Sequence, residues 1–234
     1  MPYLDITALA LFLLFWLFYE PLLPRVMRSR QSLNDHMISI RLGWMHTLVG
    51  RSPRFIDSQL LGHTIHSASF FGSANMIVIA ALAGFMFGGE ASWARLNEVE
   101  FLRPGPTWLL EFKLALMLLT LARGMLDFVW GIRQLNYCLA AIGAVPDDVA
   151  PETRDRWAET LSAMLNPALK TFSRGVRAYY FTLAAACWFF GPVALAIASI
   201  GAVLLLGWRQ TRSPSARAIA ELDSLVQETT LRGK

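Results

Sequence analysis

From Ala178 to Trp208 the chain carries no charged side chain, and Arg177 and Arg209 close the run at its two ends. A helix of about 20 apolar residues crosses a hydrocarbon core about 30 Å thick, so this run can span a bilayer with tilt or a bend. Composition agrees. Of the 234 residues 55% are hydrophobic and 16% charged, with mean hydropathy +0.42, whereas soluble domains carry about 25% charged residues. The chain is expected to be an all-α, polytopic integral membrane protein.

Three more apolar segments join it. The first covers residues 4–23, where Pro21 and Pro24 are expected to stop the helix near the interface. Asp5 ahead of the apolar stretch and Glu20-Pro21 after it do not make a cleavable signal, so this helix reads as retained. The second, residues 67–87, lies between Asp57 and Glu90 with no carboxylate, lysine or arginine between them. The third, residues 108–130, holds Glu111, Lys113, Arg123 and Asp127 around an apolar centre, and Trp108 and Trp130 mark its ends as interfacial. The fourth is residues 178–208, in which Gly191-Pro192 predicts a kink, because proline removes one helical hydrogen bond and clashes with the preceding turn. A hairpin of two half-helices is the alternative, set second because each arm is short for a crossing. The expectation is a bundle of four transmembrane helices over residues 1–212, followed by a tail, 213–234, with a short helix.

Basic residues orient such a bundle. Arg25, Arg28, Arg30, Arg41, Arg51 and Arg54 lie in the first connection and Arg133, Arg154, Arg156, Lys170, Arg174 and Arg177 in the third, against Arg95 and Arg103 in the second. Connections one and three are therefore expected in the cytoplasm and the N-terminus outside. Four spans then put the tail outside too, against Arg209, Arg212, Arg217, Arg232 and Lys234. Either the tail is an exception or the fourth segment folds back at Pro192.

The cytoplasmic connections read as amphipathic helices. Ile38, Leu42, Met45, Leu48 and Val49 fall on one face with Arg41 and His46 off it, and Trp157, Leu161, Met164 and Leu165 make a second stripe. Ser52-Pro53 reads as a cap with proline at the first helical position. A loop runs through Pro146-Asp147-Asp148 and Pro151-Glu152, and Ile219, Leu222 and Val226 follow Ser213-Pro214 at helical spacing.

These stretches carry a resemblance. Arg41-Leu-Gly-Trp44-Met45, Arg54-Phe-Ile-Asp57-Ser-Gln59-Leu60-Leu61 and Phe70-Phe71-Gly-Ser73 are followed by Ile132-Arg133-Gln134-Leu-Asn136-Tyr137-Cys138. With Phe172-Ser-Arg174-Gly175-Val-Arg177-Ala178-Tyr179-Tyr180-Phe181, the chain resembles a bacterial member of the membrane-protein family catalogued as domain of unknown function 599. The resemblance implies a polytopic protein of the bacterial inner membrane and no established activity.

Ionisable residues inside spans are costly and mark candidate sites. Arg123 and Asp127, four apart, share a helix face and are expected to pair; with Asn75 and Ser73 they form a candidate intramembrane polar site. Glu111 and Lys113 read as boundary charges that reach the external interface. His63 and His66, at i and i+3, share a face and are a possible ligand or metal pair, although a structural metal site takes about four ligands. His36 and His46 are too distant in sequence to be assigned as partners. Arg174 and Arg177 with Tyr179 and Tyr180 form a basic and aromatic collar; with Arg133 and Arg54 it is a candidate lipid or phosphate contact. Ala80, Gly84 and Gly88 form a small-residue ridge, as do Ala194, Ala198 and Ala202, and both are expected to pack inside the chain. Cys138 and Cys187 read as buried small hydrophobes.

No catalytic, nucleotide-binding or metal-binding signature is complete, and no cofactor is expected. The leading expectation is a non-catalytic scaffold, assembly or accessory subunit whose partners are membrane lipids and other membrane proteins or further copies of itself, with nucleic acid excluded. A small transporter or channel with its path at Arg123 and Asp127 comes second, and a membrane redox protein using His63 and His66 third.

Overall fold

Amphipathic and apolar periodicities of 3.6 residues run through nearly the whole chain, and the computed structural model is correspondingly helical. It describes residues 2–26, 32–88 and 106–232, and among these every regular element is a helix. They are α1 (Pro2–Val26), α2 (Leu33–Val49), α3 (Phe55–Met86), α4 (Thr107–Gly143), α5 (Pro151–Ala186), a 3₁₀ turn (Cys187–Phe190), α6 (Pro192–Thr211) and α7 (Pro214–Arg232). Arg28, Arg30, Glu90, Arg95, Arg103 and Lys234 lie outside the described residues.

Among the described residues three segments are long and apolar enough to cross a membrane: Tyr3–Pro21, Phe55–Met86 and Pro192–Thr229. They mark the chain as a membrane protein. The segment at 108–130 is not among them by hydropathy, because Glu111, Lys113 and Arg123 dilute it, yet α4 has 37 residues, about 55 Å at 1.5 Å per residue.

Helix boundaries depart from expectation where proline is concerned. Pro21 and Pro24 do not stop α1, which continues to Val26; the strain appears instead as a non-helical Phe18 (φ −110°, ψ 17°), beside the carbonyl with which the Pro21 ring clashes. Ser52 does not cap α3, which begins at Phe55; its hydroxyl donates to Asp147 at 3.0 Å. Pro151, read as part of a loop, opens α5, where its fixed φ suits the first turn. Ser213 does cap α7: its Oγ accepts the Ala216 N–H at 3.1 Å ahead of Pro214 at the first helical position.

The kink expected at Pro192 is a full interruption. α5 ends at Ala186, the 3₁₀ turn follows, and Gly191 takes φ +118°, ψ 169° before α6 starts at Pro192. A side chain at that φ is strained. Gly191 is therefore what lets one helix end and a second begin without an intervening loop.

The described chain divides into two compact units. The first comprises Met1–Arg28, Phe71–Leu126 and Arg174–Gly207. Its core joins Phe12 and Tyr19 of α1, Leu116 and Met117 of α4, Phe181 and Ala185 of α5, Trp188, and Leu195, Val203 and Leu206 of α6. Phe181 meets Phe12 and Tyr19 edge-on with ring centroids 6.1 and 6.2 Å away. α3 reaches the margin of that core through Leu82. It is tied on by Asn75, whose Nδ2 donates to the Leu121 carbonyl at 2.8 Å, and by the Tyr179 hydroxyl, which donates to the Phe71 carbonyl at 2.7 Å. The approach is close at Gly124, where an added Cβ would lie 2.5 Å from the Ala178 Cβ.

The second unit comprises Ser29–Phe70, Asp127–Ser173 and Trp208–Lys234. The two predicted stripes build its core: Met45, Leu48 and Val49 of α2 pack with Leu135, Cys138 and Ile142 of α4 and Ala158, Leu161 and Leu165 of α5. Burial pushes the Cys138 thiol up to about 11, so it packs as a neutral hydrophobe. α7 packs against α2, with Val226 filling the space left by Gly43. Its buried face carries Ala216 and Asp223, while Leu222, expected inside, is exposed.

The ridge on α3 behaves differently from the one on α6. Ala202 is buried and Ala198 packs on the first unit's core, whereas Ala80 and Gly88 are exposed and a Cβ on Gly84 would meet nothing within 4 Å. This pair of glycines gives a direct check. Gly124→Ala should lower the thermal unfolding temperature in mild detergent, by the equivalent of about 1–3 kcal/mol of overpacking, and Gly84→Ala should leave it unchanged or raise it. Equal effects would refute the close crossing at Gly124.

Candidate functional site

Three polar clusters inside the two units are the candidates for chemistry, and each forms because a charge has been taken from water. In the first unit Lys113 is 2% exposed. The expectation that it reaches the interface is thus overturned. Its Nζ lies 5.8 Å from the ring centroids of both Trp188 and Phe189, and Asp5 is the carboxylate whose charge acts on it. Asp5 accepts the Trp188 indole N–H at 2.9 Å. Glu111, by contrast, is exposed as expected. A second pair lies further along α1: Arg177 donates to Glu20 at 2.6 Å and stacks 5.2 Å over the Tyr19 ring. Ammonium, guanidinium, two carboxylates and an indole thus bind α1 to its neighbours.

In the second unit Asp57 is fully buried. One of its oxygens accepts both the Trp44 indole N–H and the Arg51 Nη2, each at 2.7 Å, while Oδ2 is buried with no donor. Beside it Arg54 donates to the carbonyls of Val145 at 2.8 Å and Pro146 at 2.7 Å and pairs with Asp147 at 3.5 Å. Arg54 therefore closes the loop between α4 and α5.

The third cluster joins α7 to α2. Asp223 receives His36 Nδ1 at 2.6 Å, Gln227 Nε2 at 2.9 Å and the Ser39 hydroxyl. Burial pushes its carboxyl up, but the hydrogen bonds from Ser39, His36 and Gln227 outweigh that and hold it below the ordinary carboxylate value.

The residues singled out in the sequence do not converge. Asn75 is buried with Nδ2 on the Leu121 carbonyl and Oδ1 without a partner, but Ser73 and Arg123 are exposed and Asp127 is half-buried. No Arg123–Asp127 ion pair is found among the described residues. His63 and His66 are both exposed, and no group of three His, Cys, Asp or Glu side chains among the described residues could hold a metal. Of the expected lipid contacts, Arg54 and Arg177 are engaged as above, Arg133 is exposed with Nη2 3.2 Å from the Tyr137 hydroxyl, and Arg174 is half-buried.

Asp5, Lys113 and Asp223 were missed because their partners lie far away in the chain; Asp5 and Trp188 are 183 residues apart. Asp57 was missed although Trp44 and Arg51 are only 13 and 6 residues away, because the turn between α2 and α3 that brings them together has no periodicity. The only local signal was an isolated charge within an apolar neighbourhood.

The Asp223 cluster makes a pH prediction. A carboxylate held low in the folded state contributes fully above its unfolded value near 4 and loses that contribution as pH falls through the folded value. Protease cleavage within residues 214–232 should therefore rise on acidification below about pH 4 and, in Asp223→Asn, already at pH 7. Unchanged protection in that variant would show that the cluster does not hold α7.

No curated protein and no solved structure matches the chain. Residues 7–215 match the model of a family described as a protein of unknown function, DUF599. That match reaches into both units and takes in the Asp57 cluster, while Asp5 and Asp223 lie beyond its two ends, and the chain belongs to this family.

Proposed function

We propose that the chain is a non-catalytic accessory or scaffold protein of the bacterial inner membrane, which receives a transmembrane helix of a partner protein against α3. The observation that carries this reading is how little of α3 its own chain covers. Over its most apolar window only 6% is buried, and Phe70 and Ile77 are 66% and 71% exposed. Lipid suits such side chains, but the uncovered ridge of Ala80, Gly84 and Gly88 favours a helix, since small residues let backbones approach closely. The transporter reading has less support, because Ser73 and Arg123 face outward while Asn75 is fixed to the α4 backbone. The redox reading has His63 and His66 on an exposed face and no third ligand among the described residues.

The same reading places the N-terminus outside and connections one and three in the cytoplasm. α7 supports a change in the number of crossings. Because it packs on α2, the tail and the first connection share one side, and an N-terminus on the other side then requires an odd number. The fold-back at Pro192 considered from the sequence would supply the extra crossing, and two observations support it: the helix is broken at Cys187–Gly191, and α6, 20 residues and about 30 Å long, is long enough to cross alone. Five crossings also bring Arg209, Arg212 and Arg217 to the cytoplasmic side.

Reporter fusions after Asp148 and after the last residue should give the same cytoplasmic signal. Opposite signals would restore an even number of crossings. Purification in mild detergent followed by mass spectrometry should recover a stoichiometric membrane protein that Gly84→Leu loses. A lone monomer from wild type would overturn the scaffold reading.

A further inference from the structure

An arginine keeps its proton under any physiological condition, so a guanidinium shielded from water calls for an anion. Arg51 has Asp57, Arg54 has Asp147 and Arg177 has Glu20. Arg41 has no such partner among the described residues. It sits half-buried in α2; its Nη1 donates to Asn166 Oδ1 at 3.0 Å, and its Nε is shielded with no acceptor. Burial alone, with no carboxylate opposing it, moves its pKa down from the ordinary value. Asn166 is in turn fixed, because its Nδ2 donates to the buried Ser162 hydroxyl at 3.1 Å.

We propose that Arg41, oriented by Asn166, is the binding site for a phosphate-type oxyanion, supplied by an anionic lipid headgroup or by free phosphate. One arm of the guanidinium is fixed by the amide, and the ligand is held by the remaining outer donors of the fork. Partial exposure gives the ligand its entry. The amphipathic α2 suits a place at the membrane interface, where phosphodiesters are concentrated. The role that spacing assigned to Arg54 and Arg177, both engaged inside the chain, thereby passes to Arg41. The site stands independently of α3 and its partner.

The test uses the full-length protein in a neutral detergent and follows thermal unfolding at constant ionic strength. Inorganic phosphate is titrated against chloride, and mixed micelles with phosphatidylglycerol are compared with phosphatidylcholine. Wild type should show a saturable rise in unfolding temperature with at least one phosphate source. A rise with inorganic phosphate assigns a free anion; a rise confined to phosphatidylglycerol assigns a headgroup. Asn166→Asp places a carboxylate where Arg41 now meets an amide. It should stay folded without added anion and weaken the response about tenfold or more, the scale of a charged hydrogen bond. Arg41→Gln should do the same, and Arg156→Gln, at an exposed arginine of α5, should respond as wild type. No rise in wild type, or an undiminished response in Asn166→Asp, overturns the proposal even if Arg41→Gln does not fold.

Discussion

A charge that leaves water must be met inside the chain, and the packing of this protein is organised by that requirement. An isolated ion in a low-dielectric interior costs several kcal/mol, so each buried carboxylate or cation becomes a fixed point for the helices around it. Asp5 fixes the start of α1 to Trp188, Glu20 fixes its C-terminal part to Arg177, Asp57 draws in Trp44 and Arg51, and Asp223 holds α7 against α2. Apolar burial alone is non-directional. These polar contacts choose the register in which the greasy faces meet.

The two units use the requirement differently. In the first, polar groups tie together helices whose outer faces are apolar, and α3 is anchored by bonds to backbone carbonyls beside the apolar contacts of Leu82 and Phe71. In the second, an amphipathic core of ordinary soluble character does most of the packing, and the polar clusters close a loop and dock a helix. Arg41 is the exception that gives the pattern its meaning. It is shielded like the others, yet its partner is a neutral amide.

Much of the fold was legible because its signals are local. Apolar runs named three segments that the structure makes into candidate spans, and the stripes at 38–49 and 157–165 became faces of α2 and α5. What was not legible depends on the third dimension. Pro192 was read as the cause of a bend, whereas the departure from helix is made by Gly191 with a positive φ, a choice that proline chemistry does not reveal. Lys113 looked like a boundary charge because its distance from the end of the apolar run permits that; only the rings of Trp188 and Phe189 show that it turns inward. The grouping of Arg123, Asp127, Asn75 and Ser73 came from sequence spacing, whereas their burial differs, with Asn75 buried, Asp127 half-buried and Ser73 and Arg123 exposed. The contacts of Glu20 with Arg177, Asp5 with Trp188 and Asp223 with His36 each join residues more than 150 positions apart, beyond the reach of any periodicity.

That separation has a consequence for biogenesis. α1 leaves the ribosome carrying a carboxylate whose indole partner is encoded 183 residues downstream. At a synthesis rate of about 5–20 residues per second, the interval is about 10–40 s. The helix must therefore wait in the membrane, or under the care of the insertion machinery, until the segment around Trp188 has been made. Arrival of that distant indole, rather than insertion of α1, is the event that seals this contact.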